Sequence, residues 1–381
     1  MGWGIYVHIP FCVRRCPYCD FNTYAGIDYL KQPYVDALIE EIARTGERLG
    51  RPEARSVFFG GGTPTTLSGE QLCSILEAVR RGFRLDPGAE ISSEANPGTV
   101  DAERFRSMRE CGFNRLSLGV QSFDDGELRF LGRIHSASEA VDAYHLARRA
   151  GFESINLDLM FGLPEQKPES WKATLEKALE LSPEHLSLYA LTVEEGTPLW
   201  RWVRGGEVPP PDEDVSAGMY EYACERLDAA GYAHYEISNW CRRRDGTDFR
   251  SRHNLIYWRH ERYLGFGAGA HSFDGKKRWW NVPGVREYID RIAEGASPVE
   301  SGEVLSERTL MGEAMMLGLR LLEEGVPDER FAGEFGVDIM TAFGDEVAEL
   351  MDEGLVRWHG DGLLLTRRAW LVANQVFARF L

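Results

Sequence analysis

The chain has 381 residues, 43% hydrophobic and 27% charged, with no low-complexity tract, the composition of an ordinary globular protein. That length suits one large domain plus a smaller one. A formal net charge of -17 excludes a general nucleic-acid-binding surface, which needs a basic face, and no apolar run approaches the ~20 residues that span a bilayer.

The N-terminal MGWGIYVHIPF lacks a basic leader and a small-residue cleavage site, so a cytoplasmic location is expected. In that reducing compartment seven cysteines are not a disulfide framework, and Cys73, Cys111, Cys224 and Cys241 read as buried thiols. The basic run CRRRDGTDFRSR (241–252) reads as a solvated loop.

The first predicted strand, GIYVHIP from Gly4, leads into HIPFCVRRCPYCDFNTY, where Cys12, Cys16 and Cys19 fall within eight residues. Amphipathic PYVDALIEEIARTGERL follows, then SVFFGGG from Ser56, EQLCSILEAVRRGF, EISSEANP from Glu90, RLSLGVQS from Arg115, SEAVDAYHLARRAGF, SINLDLMFGLP from Ser154 and HLSLYAL from His185. Strands alternating with helices imply parallel pairing and right-handed crossovers, in either a doubly wound sheet or a barrel. The polar residues favour a partial (β/α)6 TIM-like barrel. Thiols follow the first strand, Gly60–Gly62 and Thr63 the second; Glu94 ends the third, Gln121 follows the fourth and Asp158 lies in the fifth. Parallel α/β folds gather their ligands at such strand ends, and a barrel makes them converge.

Beyond residue 195 the pattern loosens. PPPDED (209–214) is a turn before a helix, and the aromatic-rich SRHNLIYWRHERYLGFGAGAHSF follows. From about Ser306 helices lead to GLVRWHGDGLLLT, a hairpin turning at 360–362, and a last helix, the outline of a small α+β winged-helix-like domain expected to serve docking or structure. The expected division is 1–205 for the barrel, 206–300 for the aromatic-rich extension and 301–381 for the C-terminal domain.

Three cysteines spaced by three and two residues can wrap one metal centre from a single loop. A structural zinc wants four closed ligands, which His8 could complete. An iron–sulfur cluster fits the soft thiolates better, and three cysteines on four irons leave one iron for a small chelating molecule.

CVRRCPYC resembles the CxxxCxxC signature of radical S-adenosylmethionine (SAM) enzymes. The resemblance implies a [4Fe-4S] cluster on Cys12, Cys16 and Cys19, SAM chelating the open iron, and one-electron cleavage to a 5′-deoxyadenosyl radical. GGGTPT (60–65) resembles the family's glycine-rich cofactor element; glycines there let backbone groups approach a ligand closely. YVHIPFC, FFGGGTPT, EANPGT, LSLGVQSF, LGRIHS, NLDLMFGLP, YEISNW and SRHNLIYW resemble, in order, the family of oxygen-independent coproporphyrinogen oxidase and its haem-chaperone relatives. Carried over by motif, Tyr6, Gly61, Gly62, Thr63, Glu94, Gln121, Arg133 and Asp158 are implied SAM contacts, and Tyr18 is placed to shield the adenine.

Two departures separate the chain from the decarboxylating oxidase. Phe21 stands where that branch has a fourth cysteine, and only eleven residues precede Cys12. HNLIYW matches the HNxxYW motif that the chaperone branch links to haem, so the resemblance implies His253 and Tyr257 as haem ligands, against a purely structural His253; His271 in GAGAHSF is a second choice. The expected function is therefore a haem chaperone passing haem to haem-requiring proteins such as respiratory enzymes, able in principle to cleave SAM and expected as a homodimer. The alternative is a coproporphyrinogen oxidase-like or haem-opening radical enzyme.

Overall fold

The computed structural model describes residues 2–244 and 246–381, so Met1 and Asp245 of the basic run lie outside the described residues. Six strands form the parallel centre: β1 (Trp3–Ile9), β2 (Glu53–Gly61), β3 (Arg84–Ala95), β4 (Arg115–Gln121), β5 (Ser154–Phe161) and β6 (His185–Ala190). Helices α1 (Lys31–Arg48), α2 (Gly69–Gly82), α3 (Ala102–Cys111), α4 (Asp125–Phe130), α5 (Ala137–Arg149) and α6 (Pro168–Leu181) fill the crossovers. Their starts are written locally: α2 and α5 open on capping boxes, Ser68 with Gln71 and Ser136 with Glu139. Alternate strand residues such as Ile5, Val7, Ile9, Val57 and Phe59 are buried in one core with Tyr34, Leu38 and Ile42 of α1, and the opposite residues face inward.

The aromatic-rich segment over 206–300 adds strands to both edges of the main sheet. After α7 (Pro198–Arg204) and α8 (Glu213–Ala229) come β7 (Ala233–Glu236) and β8 (Asn239–Cys241); β8 adds antiparallel to β6, β7 pairs antiparallel with β8, and α9 (Arg252–Trp258) carries the chain back across the barrel. Strand β9 (Tyr263–Phe266) pairs parallel with β1, followed antiparallel by β10 (His271–Phe273), β11 (Lys277–Asn281) and, past α10 (Val285–Ala293), β12 (Val299–Val304). The result is one sheet in the order β12-β11-β10-β9-β1-β2-β3-β4-β5-β6-β8-β7, widened at both edges.

The C-terminal unit has its own core around Met315, Phe331, Phe343 and Leu363. It comprises α11 (Glu307–Gly318), β13 (Val326–Pro327), α12 (Asp328–Phe335), α13 (Ile339–Asp352), the hairpin β14 (Val356–His359) and β15 (Gly362–Leu365), and α14 (Ala373–Phe377). It docks on the sheet through Arg259–Glu324 and Arg320–Glu236 ion pairs.

Two cysteine expectations are corrected. Cys73 on α2 and Cys111 at the end of α3 are joined by a disulfide, with Cα atoms 5.8 Å apart, because these helices pack side by side across a sequence separation of 38. Spacing alone does not reveal such a pairing. Cys224 and Cys241 are buried free thiols, as expected. In the basic run, Arg242 lies over Tyr232, while Arg243 and Arg250 pair with Glu323 and Asp248. Among the described residues no helix is long and apolar enough to cross a membrane.

Candidate functional site

The strand ends open into a cavity of about 360 Å³ lined by Cys12, Cys16, Cys19, Tyr18, Gly61, Gly62, Thr63, Glu94, Gln121, Arg133 and Asp158. Eleven of the twelve SAM and cluster positions expected from sequence thus meet in one place, which follows from parallel strands ending at a common mouth. Tyr6 stands just behind them, on the inward face of β1.

The cysteine loop is pinned rather than free. Two-residue strands Phe11–Cys12 and Tyr24–Ala25 pair at its base. Asn22 donates from its amide to the carbonyls of Ala268 (3.1 Å) and Pro283 (3.0 Å), and Leu199 donates to the carbonyl of Pro17. Each sulfur has a potential donor: Thr63 at 3.9 Å from Cys12, Arg133 at 3.7 Å from Cys16 and Thr23 at 4.0 Å from Cys19. Burial pushes the Cys12 and Cys19 thiols up, so a metal must supply the drive for their deprotonation.

The zinc alternative fails on His8. Its Nε2 donates to the Asn22 carbonyl and its Nδ1 accepts from the Tyr6 hydroxyl, both at 2.9 Å, which leaves no nitrogen for a metal. Among the described residues no three His, Cys, Asp or Glu side chains converge tightly enough to grip a single ion. Three thiols spread round a cavity suit separate irons of a cluster better than one mononuclear ion.

Two glycines shape the wall. Gly61 has φ 113°, and a Cβ there would stand 2.5 Å from the His8 ring; a Cβ on Gly62 would stand 2.7 Å from the Phe11 carbonyl and 3.0 Å from Cys12 Sγ. Only glycine lets this backbone pass so close to the cysteine loop.

Across from the thiols lie two half-buried carboxylates. Glu94 accepts from Gly61 N–H (3.1 Å), and burial together with the nearby Asp158 raises its pKa to about 8. Asp158 accepts from Ser117 (2.9 Å) and Asn156 (2.8 Å), yet burial still raises its pKa. No ion pair reaches either group among the described residues. A pocket with two carboxylates short of a counter-charge is built for a cation. Opposite in sign, Arg133 lines the same cavity, donates to the Gly119 carbonyl (2.7 Å) and has a buried Nε without a partner, so its guanidinium charge suits a ligand carboxylate. Gln121 reaches the cavity because the register slips between Gly119 and Gln121, whose φ is 68°. Sequence reasoning missed Tyr189, Thr192 and Met160 in the same wall. Tyr189 closes the sixth strand, so the strand-end rule that found Glu94 would have found it too.

The structure departs from expectation at the haem motif. His253 has no exposed surface; its Nδ1 bonds Ser56 (2.8 Å), its Nε2 bonds Tyr257 (2.9 Å), and its ring stacks on Phe58. Burial holds its pKa down to about 3, and Tyr257's hydroxyl is consumed as its partner. Neither residue reaches the cavity, and neither offers iron an open position. In this structure His253 is buried and spends both ring nitrogens on hydrogen bonds within the fold.

This constellation is that of a radical SAM protein: the Radical SAM superfamily matches residues 6–178, and the HemN C-terminal domain matches 305–372. The chain is 39% identical to "Heme chaperone HemW" of Bacillus subtilis over 99% of its own length and 98% of that protein's, and 40% identical to its Mycobacterium tuberculosis counterpart over 98% and 93%. It belongs to the HemW family. The solved structure of the Escherichia coli coproporphyrinogen III oxidase HemN, a radical SAM enzyme, has the same fold, with a TM-score of 0.85 at 24% identity over 100% of this chain and 90% of that one.

Proposed function

We propose that this protein is a haem chaperone that binds haem and hands it to haem-requiring proteins, respiratory enzymes included, while holding a [4Fe-4S] cluster on Cys12, Cys16 and Cys19 and SAM in the cavity beside it. The observation that carries the reading is full-length similarity to proteins named heme chaperones. The cavity supports the cofactor part. SAM carries a sulfonium and an ammonium, the charges that Glu94 and Asp158 lack, and a carboxylate that suits Arg133. A cluster held by Cys12, Cys16 and Cys19 would be the source of one-electron chemistry toward the sulfonium. The chain's own residues orient the ligand: backbone groups at Gly61 and Gly62 admit it closely, the hydroxyl of Thr63 faces Cys12, and the Tyr18 ring lies in an apolar wall with Leu131 and Met160. Phe21 in place of a further cysteine argues against coproporphyrinogen oxidation.

The test is anaerobic reconstitution followed by haem titration, transfer to an apo-haemoprotein, and a coproporphyrinogen III assay on the same sample. Stoichiometric haem uptake with transfer is expected. Failure to take up haem, or protoporphyrinogen formation at catalytic rates, would overturn the reading.

A further inference from the structure

An imidazole that ligates haem iron needs an accessible nitrogen with its lone pair free. Of the chain's nine histidines, all described, only His145, His271 and His359 are exposed. His145 lies on the outer helix α5 and His359 ends strand β14 in the C-terminal hairpin, both remote from the cavity. His271 differs in every respect that matters. It opens β10 immediately after the turn at 267–270. That turn touches the cysteine loop, because Asn22 holds the Ala268 carbonyl and a Cβ on Gly269 would stand 2.5 Å from the Asn22 amide. The register fixes its face. Tyr6 pairs with Gly265 and Tyr263 with Phe273, so with a period of two His271 falls on the same inward face as Tyr6.

Its surroundings suit a macrocycle. The Trp280 ring lies alongside, centroids 5.6 Å apart and 25° from parallel, which fixes the imidazole plane and supplies an apolar flank. Burial and Arg278 lower its pKa, so the ring is neutral near pH 7. In the cysteine loop that Asn22 ties to this turn, Phe21 exposes 64% of its surface and lines the mouth of the cavity, and Arg14 and Arg15 supply positive charge in an otherwise acidic protein.

We propose that haem docks at the corner between the cysteine loop and the β10–β11 hairpin, with His271 as its axial iron ligand, Phe21 and Trp280 as apolar contacts, and Arg14 or Arg15 meeting a propionate. This rests on the haem-chaperone reading and places the cargo beside the SAM cavity, where HNLIYW does not.

Haem titration followed by absorption and electron paramagnetic resonance tests it on the reconstituted full chain. His271→Ala is expected to weaken haem binding at least about tenfold and to abolish the histidine-ligated spectrum without changing the cluster absorption. Exogenous imidazole should restore that spectrum in His271→Gly, which a structural role would not permit. His253→Ala, where folded, should keep the wild-type spectrum. Unchanged affinity and spectrum in His271→Ala, with loss of the histidine signature in a folded His253→Ala, would overturn the site alone. A wild-type chain that takes up no haem would overturn the chaperone reading and the site with it.

Discussion

Glu94→Gln should make the ligand-free protein more stable and at the same time unable to hold its cation. Desolvation in the cavity wall and the nearby Asp158 raise the Glu94 pKa from 4.5 to about 8. A folded-state value above the unfolded one means that its contribution is complete below about pH 4.5 and lost as pH climbs through 8. At 1.36 kcal/mol per pH unit, keeping this group ionised in the ligand-free fold costs on the order of 5 kcal/mol at high pH. Glutamine retains an oxygen for Gly61 N–H and removes the charge. Thermal melts between pH 5 and 9 should therefore show the variant level with wild type at pH 5 and clearly above it at pH 9. Calorimetric titration with SAM should show wild type releasing about one proton on binding at pH 7, because a cation drives the protonated carboxyl to ionise, whereas the variant binds weakly and releases none. A variant that melts no higher than wild type at pH 9, or that binds SAM normally, would refute the reasoning.

Three further outcomes follow from local geometry. Gly62→Ala places a methyl 2.7 Å from the Phe11 carbonyl and 3.0 Å from Cys12 Sγ, and is expected to displace Cys12 and abolish cluster reconstitution, read by iron content and visible absorption. Asn22→Ala strips donors from two carbonyls that tether the cysteine loop, so it should lose about 1–3 kcal/mol in denaturant melts and speed cluster loss. His260 lies buried between Glu313 (3.6 Å) and Glu334 (3.8 Å) where the C-terminal unit meets the sheet; burial pushes its pKa down, but the two carboxylates outweigh it and the net shift is upward. Its stabilisation is therefore full below about pH 6.5 and fades as pH rises through the higher folded value. His260→Gln should be less stable than wild type at pH 6 and nearly equal to it at pH 9.

The amino-acid sequence by itself determined the six parallel strands and most of the residues that line the cavity. Chemistry at strand ends is local: Cys12, Cys16 and Cys19 sit on one loop, and Glu94 and Asp158 on runs whose period-two pattern already turns them inward. Any fold that closes those strands in parallel must bring them together. Tertiary structure alone decided the rest, because each remaining fact depends on partners far apart in the chain. Cys73 meets Cys111 only because α2 packs on α3. The aromatic-rich segment joins the main sheet because β9 finds the open edge of β1, with Gly4 opposite Tyr263. His253 looked like a ligand in HNLIYW, yet Ser56 from β2 and Tyr257 one helical turn away take both its nitrogens. A motif lists residues, but whether a nitrogen is free depends on what packs against it, and that placed His253 inside the fold and left His271 exposed.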